Sequence, residues 1–245
     1  MKKQKAIVLN DLHIPFEDER AVNLVIDFIR YFKPDVLILN GDIADFWQIS
    51  SFVKDPVGKL MFSDELKKVK EYLALFTHLV KKVVYVSGNH EIRLRKYILV
   101  NAKALIHLEG LSVEEQLGLK NLGIQYIKPI GKEASYLYGD ALIGHFNKVN
   151  KHSAYTAKNL LEEKGISLIQ AHTHRAGIHL KTTYNKTLVA IENGCLCKLD
   201  PEYVANPNWQ QSFTAIYKDS KGHCEPHLIV IDKYKFNFGK KTFKS

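Results

Sequence analysis

Three short apolar segments alternate with two amphipathic ones at the start of the chain. The apolar segments are KAIVL (5–9), DVLILNGD (35–42) and VVYVSGNH (83–90), and their length and β-branched residues predict buried strands. The segments between them, 17–32 and 63–82, have apolar residues at helical spacing and acids in the first turn, which suits the helix dipole. Strand, helix, strand, helix, strand indicates βαβ units and a parallel sheet.

The later half of the chain has a different pattern. Residues 90–118 have helical character, and 152–165 predicts one more helix, which ends at Gly165. Strands are predicted at 124–127, 135–139, 140–145, 166–170, 177–184, 186–193, 213–218 and 227–232. We expect these strands to form a second, largely antiparallel sheet. The predicted fold class is therefore α/β, a four-layer α/β/β/α sandwich of two mixed β-sheets flanked by helices.

We predict one domain over residues 1–245, because no repeat, low-complexity tract or linker interrupts the order of elements. The acid-free, lysine-rich end predicts a flexible tail at about 233–245. The sequence leaves open the oligomeric state and whether residues 46–62 form a lid.

Composition adds expectations about location and partners. Three cysteines without paired C-x-x-C spacing argue against a disulfide framework and a structural zinc site. The apolar run near the N-terminus has about five residues, whereas a signal peptide needs roughly 7–15 and a spanning helix about 20. We therefore expect a cytoplasmic protein that does not contact a membrane. The formal net charge of +9 favours a polyanionic partner such as DNA or RNA, although the lysines are scattered and an ordinary solvated surface remains the alternative.

Residues that can bind metal collect where the predicted strands end. They are Asp11, His13, Asp42, Asn89, His90, His145, His172 and His174. Carboxylate, amide and imidazole groups together suit Mn, Fe or Zn and disfavour metals that prefer thiolates. A central Asp can bridge two ions about 3.5–4 Å apart, which is the arrangement used for in-line displacement at phosphorus.

Five motifs in this order resemble the calcineurin-like metallophosphoesterase superfamily. They are Asp11-Leu12-His13, Gly41-Asp42-Ile43-Ala44-Asp45, Gly88-Asn89-His90-Glu91, Gly144-His145 and His172-Thr173-His174. Asn193-Gly194 resembles the turn that follows the histidine pair in that superfamily, and residues 192–213 are similar to phage-encoded members. For a phage protein, the expected compartment is the host cytoplasm.

The resemblance implies a role for each motif. Asp11, His13 and His174 would hold one metal, Asn89, His145 and His172 the second, and Asp42 would bridge them. His90 would assist the leaving oxygen, with Asp45 orienting it, and a metal-bound hydroxide would be the nucleophile. Glu91 either braces the site or complements a helix dipole. Mn is the first choice for the two divalent ions, with Fe, Zn and Ni as alternatives.

The sequence also departs from the family pattern. Ala171 and Phe146 stand where glycines are usual, and Phe46 occupies the position of an arginine that grips phosphate in protein phosphatases. Arg93 and Arg175 are candidates to bind the substrate instead, because a guanidinium matches phosphate geometry. Only one of Arg93 and Arg95 can face the metals, and Trp47 is a candidate wall of the site.

We therefore predict a metal-dependent hydrolase that acts on phosphate esters. The missing arginine and the positive charge favour phosphodiesters, as in a nuclease or nucleotide phosphodiesterase. A phosphomonoesterase is the alternative within the same chemistry. A metal-binding scaffold without catalysis is the alternative from another class. Protein partners are unknown.

Overall fold

The first of two large sheets contains six strands and bears helices on one face. The computed structural model describes residues 3–51, 61–131, 133–201 and 206–245. Strands β1 (Gln4–Leu9), β2 (Val36–Asn40), β3 (Lys82–Val86) and β4 (Gln125–Ile127) are parallel neighbours in that order. The helices are α1 (Glu19–Phe32), α2 (Phe62–Leu79), α3 (Ile92–Asn101) and the single turn α4 (Val113–Gln116). The βαβ units predicted from the first 90 residues are therefore confirmed.

The second sheet has five strands and one covering helix. Its strands are β5 (Ser135–Tyr138), β6 (Ala141–Gly144), β7 (Ser167–Gln170), β8 (Ala176–Thr182) and β9 (Thr187–Asn193), in the order β5-β6-β7-β9-β8. Helix α5 (Tyr155–Lys164) connects β6 to β7, so these two strands run parallel. Strands β7 and β9 are also parallel, whereas β5 and β8 pair antiparallel at the edges.

Two further strands extend the first sheet beyond β1. Strand β10 (Ser212–Lys218) pairs antiparallel with β1, and β11 (Cys224–Val230) pairs antiparallel with β10. The prediction that the whole later half forms a second, largely antiparallel sheet is therefore wrong, although both sheets are mixed as the fold class requires. The reason is that strand pairing over more than 200 residues, as between Gln4 and Lys218, leaves no local sequence signal.

Three apolar layers hold the sandwich together. Side chains of α1 and α2, including Phe28 and Phe76, pack on one face of the first sheet. The other face, with Val8 and Ile38, packs against the second sheet. Helix α5 covers the outer face of the second sheet through Leu160 and its neighbours. This arrangement is the predicted α/β/β/α sandwich. Within the described ranges, no helix is long and apolar enough to cross a membrane.

The C-terminal residues form a hairpin that docks on α1. Strands β12 (Lys235–Phe238) and β13 (Lys241–Lys244) pair antiparallel. The ring of Phe243 stacks on that of Phe236 at 4.8 Å and meets the edge of Phe28 at 5.4 Å. This ordered hairpin differs from the flexible tail that the lysines suggested. Lys235 and Lys244 lie on the exposed face, whereas Phe236, Phe238 and Phe243 face α1. Lys241 is on the aromatic face, with its Nζ 4.3 Å from the centre of the Tyr31 ring.

We expect Phe243→Ala to destabilise the protein by about 3 kcal/mol, because it empties a buried position in the aromatic cluster. Urea unfolding followed by circular dichroism measures this change. Lys244→Ala, at the exposed neighbouring position, is the control and should change the free energy of unfolding by less than about 0.5 kcal/mol. Equal stability of Phe243→Ala and the unmodified chain would show that the hairpin contributes no packing energy.

Candidate metal centre

The predicted ligands lie on sharply bent backbone at the carboxyl ends of strands. Five of them have a positive φ, and none of the five is glycine. They are Asp11 (50°), His13 (49°), Asp42 (51°), His172 (77°) and His174 (57°). Such conformations are uncommon for residues with a side chain and concentrate at functional sites. The bends turn the side chains away from the sheet core and toward one common point.

Asp11, His13 and His174 form the first group of donors. The His174 Nε2 atom lies 3.1 Å from Asp11 Oδ1 and 3.1 Å from His13 Nε2. The His13 Nε2 atom is 3.5 Å from the same Asp11 oxygen. All three residues are buried, and their ligand atoms lie within 4.8 Å of one another. Three donors at this spacing suit one divalent cation.

Asp42, Asn89, His145 and His172 form the second group. The His145 Nε2 atom is 3.1 Å from Asp42 Oδ2 and 3.1 Å from Asn89 Oδ1. The rings of His145 and His172 lie 5.2 Å apart, and potential ligand atoms of Asp42, His145 and His172 lie within 4.8 Å of one another. Asp42 Oδ2 is also 3.9 Å from His13 Nε2, so Asp42 lies between the two groups. A carboxylate that bridges two ions would occupy this position.

In three of the predicted histidine ligands, the Nδ1 atom lies next to a side-chain or backbone group outside the two sets of donors. The Nδ1 atom of His13 is 3.0 Å from Asp45 Oδ2, and that of His145 is 3.0 Å from the Asn40 carbonyl oxygen. These oxygens accept hydrogen bonds from Nδ1–H, so in the neutral form of each ring Nε2 would present a lone pair to the centre. The Nδ1 atom of His174 lies 3.9 Å from Cys197 Sγ. This donor set fits hard or borderline divalent cations.

Cys195 and Cys197 lie behind His174 and complete another group of potential ligands with it. Both thiols are buried. A hydrogen bond with Cys195, together with burial, holds the pKa of Cys197 well above its usual value. The thiol therefore stays protonated near neutral pH and packs as an apolar group, as expected from the alternation of these cysteines.

The buried acids and imidazoles stabilise one another's charges. Burial alone would raise the pKa of Asp42, but the nearby His145 and His90 lower it strongly. Burial likewise opposes charge on His145 and His174. Even so, Asp42 and Asp11 raise the pKa of His145 to about 9. Asp11 and Cys197 raise the pKa of His174, also to about 9. Burial and the charge of His145 lower the pKa of His172 to about 4. The centre therefore holds protons where cations would bind.

Glu91 is buried and supports the turn that follows β2 by accepting hydrogen bonds from its backbone. Its Oε2 atom accepts hydrogen bonds from the backbone N–H groups of Asp42 (3.0 Å) and Gly88 (2.7 Å). Its Oε1 atom accepts from the N–H of Ile43 (3.0 Å) and the hydroxyl of Tyr85 (2.6 Å). Of the two interpretations that the sequence left open, the structure places Glu91 as the brace. Burial raises its pKa, and the charge of Asp42 adds to that effect.

Two glycines allow the strand ends to approach one another. A Cβ atom on Gly88 would lie 2.2 Å from Asp42 Oδ1, and one on Gly41 would lie 2.6 Å from His145 Nδ1. Gly41 also has a φ of 82°. Both motifs therefore require glycine, because any side chain would displace a predicted metal ligand.

His90 lies at the edge of the centre, between Asp45 and Arg93. The His90 Nδ1 atom is 2.9 Å from the Asp45 carbonyl oxygen and 3.3 Å from its Oδ2 atom. Arg93 Nη2 lies 2.8 Å from His90 Nε2, and Arg93 Nη1 lies 2.8 Å from the Asp45 carbonyl oxygen. A carbonyl only accepts and a guanidinium only donates, so the proton of His90 is on Nδ1. Asp45 therefore contacts both His90 and His13.

The remaining predicted residues lie farther from the donors. Arg95 is exposed, whereas Arg93 points to the site, as expected for residues two apart on a helix. Arg175 Nη1 donates to the Asn150 carbonyl oxygen.

Phe46 is fully buried, and its N–H donates to Glu65. Phe146 has a φ of 42°, which explains why glycine is usual at its position. Residues 52–60, part of the segment considered as a lid, lie outside the described residues.

Sequence reasoning missed a buried amide network that joins the two sheets. Asn10 Nδ2 donates to Asp11 Oδ2 (2.6 Å) and to the Gly194 carbonyl oxygen (2.7 Å). Asn193 donates to the side chain of Asn10 and accepts from Thr214 Oγ1 at 2.6 Å. The Asn193-Gly194 turn therefore positions Asp11 through Asn10. The position of Asn10 directly before the D-x-H motif was the only local signal.

Sequence reasoning also missed Glu65 and Trp209. Burial raises the pKa of Glu65 to about 7, and its carboxylate accepts from the N–H groups of Phe46 and Trp47, just after Asp45. The ring of Trp209 meets that of His174 edge to face, with 4.2 Å between centroids. Glu65 looked like an ordinary acid in the first turn of a helix, and Trp209 lies 35 positions after His174, so neither had a motif to mark it.

Comparison with known proteins finds phage relatives and related structures. The Gene 54 protein of Mycobacterium phage D29 is 28% identical over 242 residues, which cover 93% of this chain and 94% of that protein. The Gene 54 protein of Mycobacterium phage L5 is 28% identical over 244 residues, with the same coverage of each chain. The resemblance to phage-encoded proteins is thus confirmed.

Among solved structures, wild-type Vps29 from Entamoeba histolytica, complexed with Zn²⁺, matches with a TM-score of 0.49 and 12% identity, covering 98% of this chain and all of that one. YfcE, a phosphoesterase from E. coli, matches with a TM-score of 0.39 and 13% identity, covering 95% and 91% of the two chains. A family model described as calcineurin-like phosphoesterase matches residues 5–205. The chain therefore belongs to the calcineurin-like phosphoesterase family.

Proposed function

We propose that the protein hydrolyses phosphodiesters, in nucleic acid or in a nucleotide, with the help of two divalent metal ions. The observation that carries this proposal is the convergence of seven donors on one point at the carboxyl ends of the strands. Asp11, His13 and His174 would hold one ion, Asn89, His145 and His172 the other, and Asp42 would bridge them. Family membership supports metal-dependent phosphoester hydrolysis as the chemistry of this site.

Two divalent ions in this site would neutralise phosphate oxygens and make water a competent nucleophile near neutral pH. Mn is our first choice because the donors are carboxylate, amide and imidazole, and the nearby Cys197 thiol stays protonated. The protein then needs no nucleophilic side chain of its own. Its part is to hold the ions, orient the phosphate and manage the proton of the leaving group.

We assign His90 to the leaving oxygen. Its Nδ1–H group donates to the Asp45 carbonyl oxygen, which fixes the ring and directs Nε2 toward Asp42 Oδ2, 3.6 Å away. In the free protein Nε2 accepts from Arg93. A bound phosphate would attract the Arg93 guanidinium and leave Nε2 free to take a proton from water and pass it to the leaving oxygen. Arg93 thus binds substrate and keeps His90 in place before substrate arrives.

The surroundings of Asp45 favour a diester over a phosphoprotein. At the next position, where protein phosphatases carry a phosphate-gripping arginine, the chain has a fully buried phenylalanine, Phe46. Its N–H group is bonded to Glu65, so the position faces the core rather than the substrate. A diester has one negative charge fewer than a monoester and needs fewer cationic contacts. The net charge of +9 also suits a polyanionic substrate.

One observation favours a phosphomonoesterase as the second candidate. The Arg93 guanidinium lies beside His90, where it can contact the doubly charged phosphate of a monoester. A comparison of bis-p-nitrophenyl phosphate with p-nitrophenyl phosphate separates the two candidates. Higher kcat/KM on the monoester, with no cleavage of nucleic acid, would establish the phosphomonoesterase.

For His90→Gln we expect kcat on a phosphodiester to fall by about 100-fold or more, because the leaving oxygen loses its proton donor. The assay uses protein loaded with Mn²⁺ and follows cleavage of a dinucleotide, whose alkoxide leaving group needs a proton that p-nitrophenolate would not need. His78→Gln, an exposed histidine of α2, is the matched control and should leave kcat unchanged. Two bound metals without hydrolysis of any phosphoester in the unmodified protein would contradict the proposed function and favour the scaffold.

Metal binding should release protons and strengthen as pH rises. The pKa values of His145 and His174 are raised to about 9, and Asp11 and Asp45 hold the pKa of His13 well above its usual value despite burial. All three rings are therefore charged at pH 7 and must lose a proton to become ligands, so affinity should increase from about pH 6 to about pH 9. His172, with its pKa lowered to about 4, has no proton to lose over this range.

Isothermal titration of metal-free protein with Mn²⁺ tests this linkage. Titrations at pH 7 in two buffers with different ionisation enthalpies should differ by the heat of about three protons per protein, one from each of His13, His145 and His174. Identical heats in both buffers, with an affinity that does not change with pH, would refute the protonated state assigned to these histidines.

A further inference from the structure

Three segments meet beside the histidine pair and form what we call the rim, defined as residues 146–155, Arg175 and residues 206–210. Arg175 Nη1 donates to the Asn150 carbonyl oxygen, and Asn208 Nδ2 donates to Ser153 Oγ at 3.4 Å. The Gln210 N–H group donates to the His174 carbonyl oxygen at 2.9 Å. The rim is therefore bonded directly to the backbone of a predicted metal ligand.

The rim is held in a fixed position by a buried acid. Glu192, at the end of β9, accepts hydrogen bonds from the N–H groups of Thr156 (2.9 Å) and Ala157 (3.4 Å) in the first turn of α5. The turn has no side-chain cap of its own, so Glu192 takes that role. Close packing of Gly177 on Ala154 fixes the same segment, since a Cβ on Gly177 would lie 2.8 Å from the Ala154 nitrogen.

Trp209 presents an aromatic surface at the edge of the metal centre. Its ring contacts the His174 ring at 4.2 Å, and the side chain is partly exposed. The neighbouring Gln210 fixes the segment, because its side chain accepts from the Ala176 N–H at 3.0 Å and donates to Asn208 Oδ1 at 2.8 Å. A partly exposed indole held at this place is suited to stack a base next to the scissile phosphate.

The rest of the rim is basic and carries further aromatic surface. Within residues 146–155 there are two lysines, Lys148 and Lys151, and one histidine but no acid, and Lys148 is ion-paired with Glu163. Tyr155 is 52% exposed, and its ring lies 5.4 Å from that of His152. Lys151 is exposed and has no ion pair within the described part of the chain. Basic side chains interleaved with aromatic rings are typical of surfaces that bind single-stranded nucleic acid.

We propose that the rim binds single-stranded nucleic acid, with one base stacked on Trp209 and a neighbouring backbone phosphate near Lys151. A base inside a duplex is already stacked, so a partly exposed indole beside the reacting centre suits an unpaired strand. The inference rests on the proposed function, since it names the substrate class of that site. It places substrate selection on the His174 side, away from His90.

Binding without cleavage tests the rim independently of catalysis. The protein is kept in EDTA, and fluorescence anisotropy measures its Kd for a labelled oligothymidine of about 12 nucleotides. Trp209→Ala should raise Kd about tenfold, and Trp209→Phe, which keeps a smaller ring, by less. Lys151→Ala should weaken binding and reduce the slope of log Kd against log salt by about one. Thermal melting confirms that each variant is folded.

Matched controls lie away from the rim. Tyr184→Ala removes a fully exposed aromatic ring from the turn between β8 and β9, and Lys81→Ala removes an exposed lysine at the opposite end of β3. Both should leave Kd within about twofold. An unchanged Kd in folded Trp209→Ala, or equal affinity for thymidine monophosphate and the oligonucleotide, would overturn the inference.

The test separates failure of the rim from failure of the proposed function. Tight, Trp209-dependent binding by a Mn²⁺-loaded protein that cleaves no phosphoester would support the rim and refute the proposed hydrolysis. Efficient hydrolysis of bis-p-nitrophenyl phosphate without measurable binding of the oligonucleotide would support the hydrolysis and refute the rim.

Discussion

The structure depends on bringing seven predicted metal ligands, most of them buried, to one point. Five predicted ligands have left-handed backbone, which costs roughly 1–3 kcal/mol for each residue that is not glycine. Such conformations persist only where the surroundings fix them from several sides. Glu91 does so for Asp42 by accepting three backbone N–H groups, and the Asn10 amide does so for Asp11. The α/β/β/α sandwich thus serves as a rigid support for a few strained turns.

The need to hold the predicted ligands in place also explains where the two sheets are joined by hydrogen bonds. Strands β1 and β9 belong to different sheets, yet the Asn193 side chain donates to the Val8 carbonyl oxygen at 3.2 Å and to Asn10. His145, from the second sheet, donates through Nδ1 to the Asn40 carbonyl oxygen at the end of β2. These bonds replace the apolar contacts that fill the rest of the space between the sheets. Each of the two groups of predicted metal ligands therefore contains residues from both sheets, and the distances within each group depend on how the sheets pack.

The sequence predicts the parts of this architecture that have local periodicity or a motif. Helix α1 and the strands that end at Asp11 and Asp42 follow from apolar spacing, and the motif order brings the donors together. Other features have no such signal. Strand β10 pairs with β1, and Phe243 packs on Phe28, although the partners are distant in sequence. Glu91 braces the site, but an acid at the start of a helix complements the dipole equally often. Trp209 lacks any motif, because it contacts His174 from 35 positions farther along the chain.

The arrangement also separates the predicted metal centre from the surface beside it in physical terms. The donors lie on strand ends where glycines such as Gly88 leave no room for a side chain, so substitution there disturbs the centre itself. The rim is built from irregular segments that carry exposed Lys151 and Tyr155, and these can change without moving a donor. Bonds such as that of the Gln210 N–H to the His174 carbonyl oxygen connect the two parts. For the function proposed above, a rigid centre with a loop-built surface beside it would allow one hydrolytic chemistry to serve different phosphoesters.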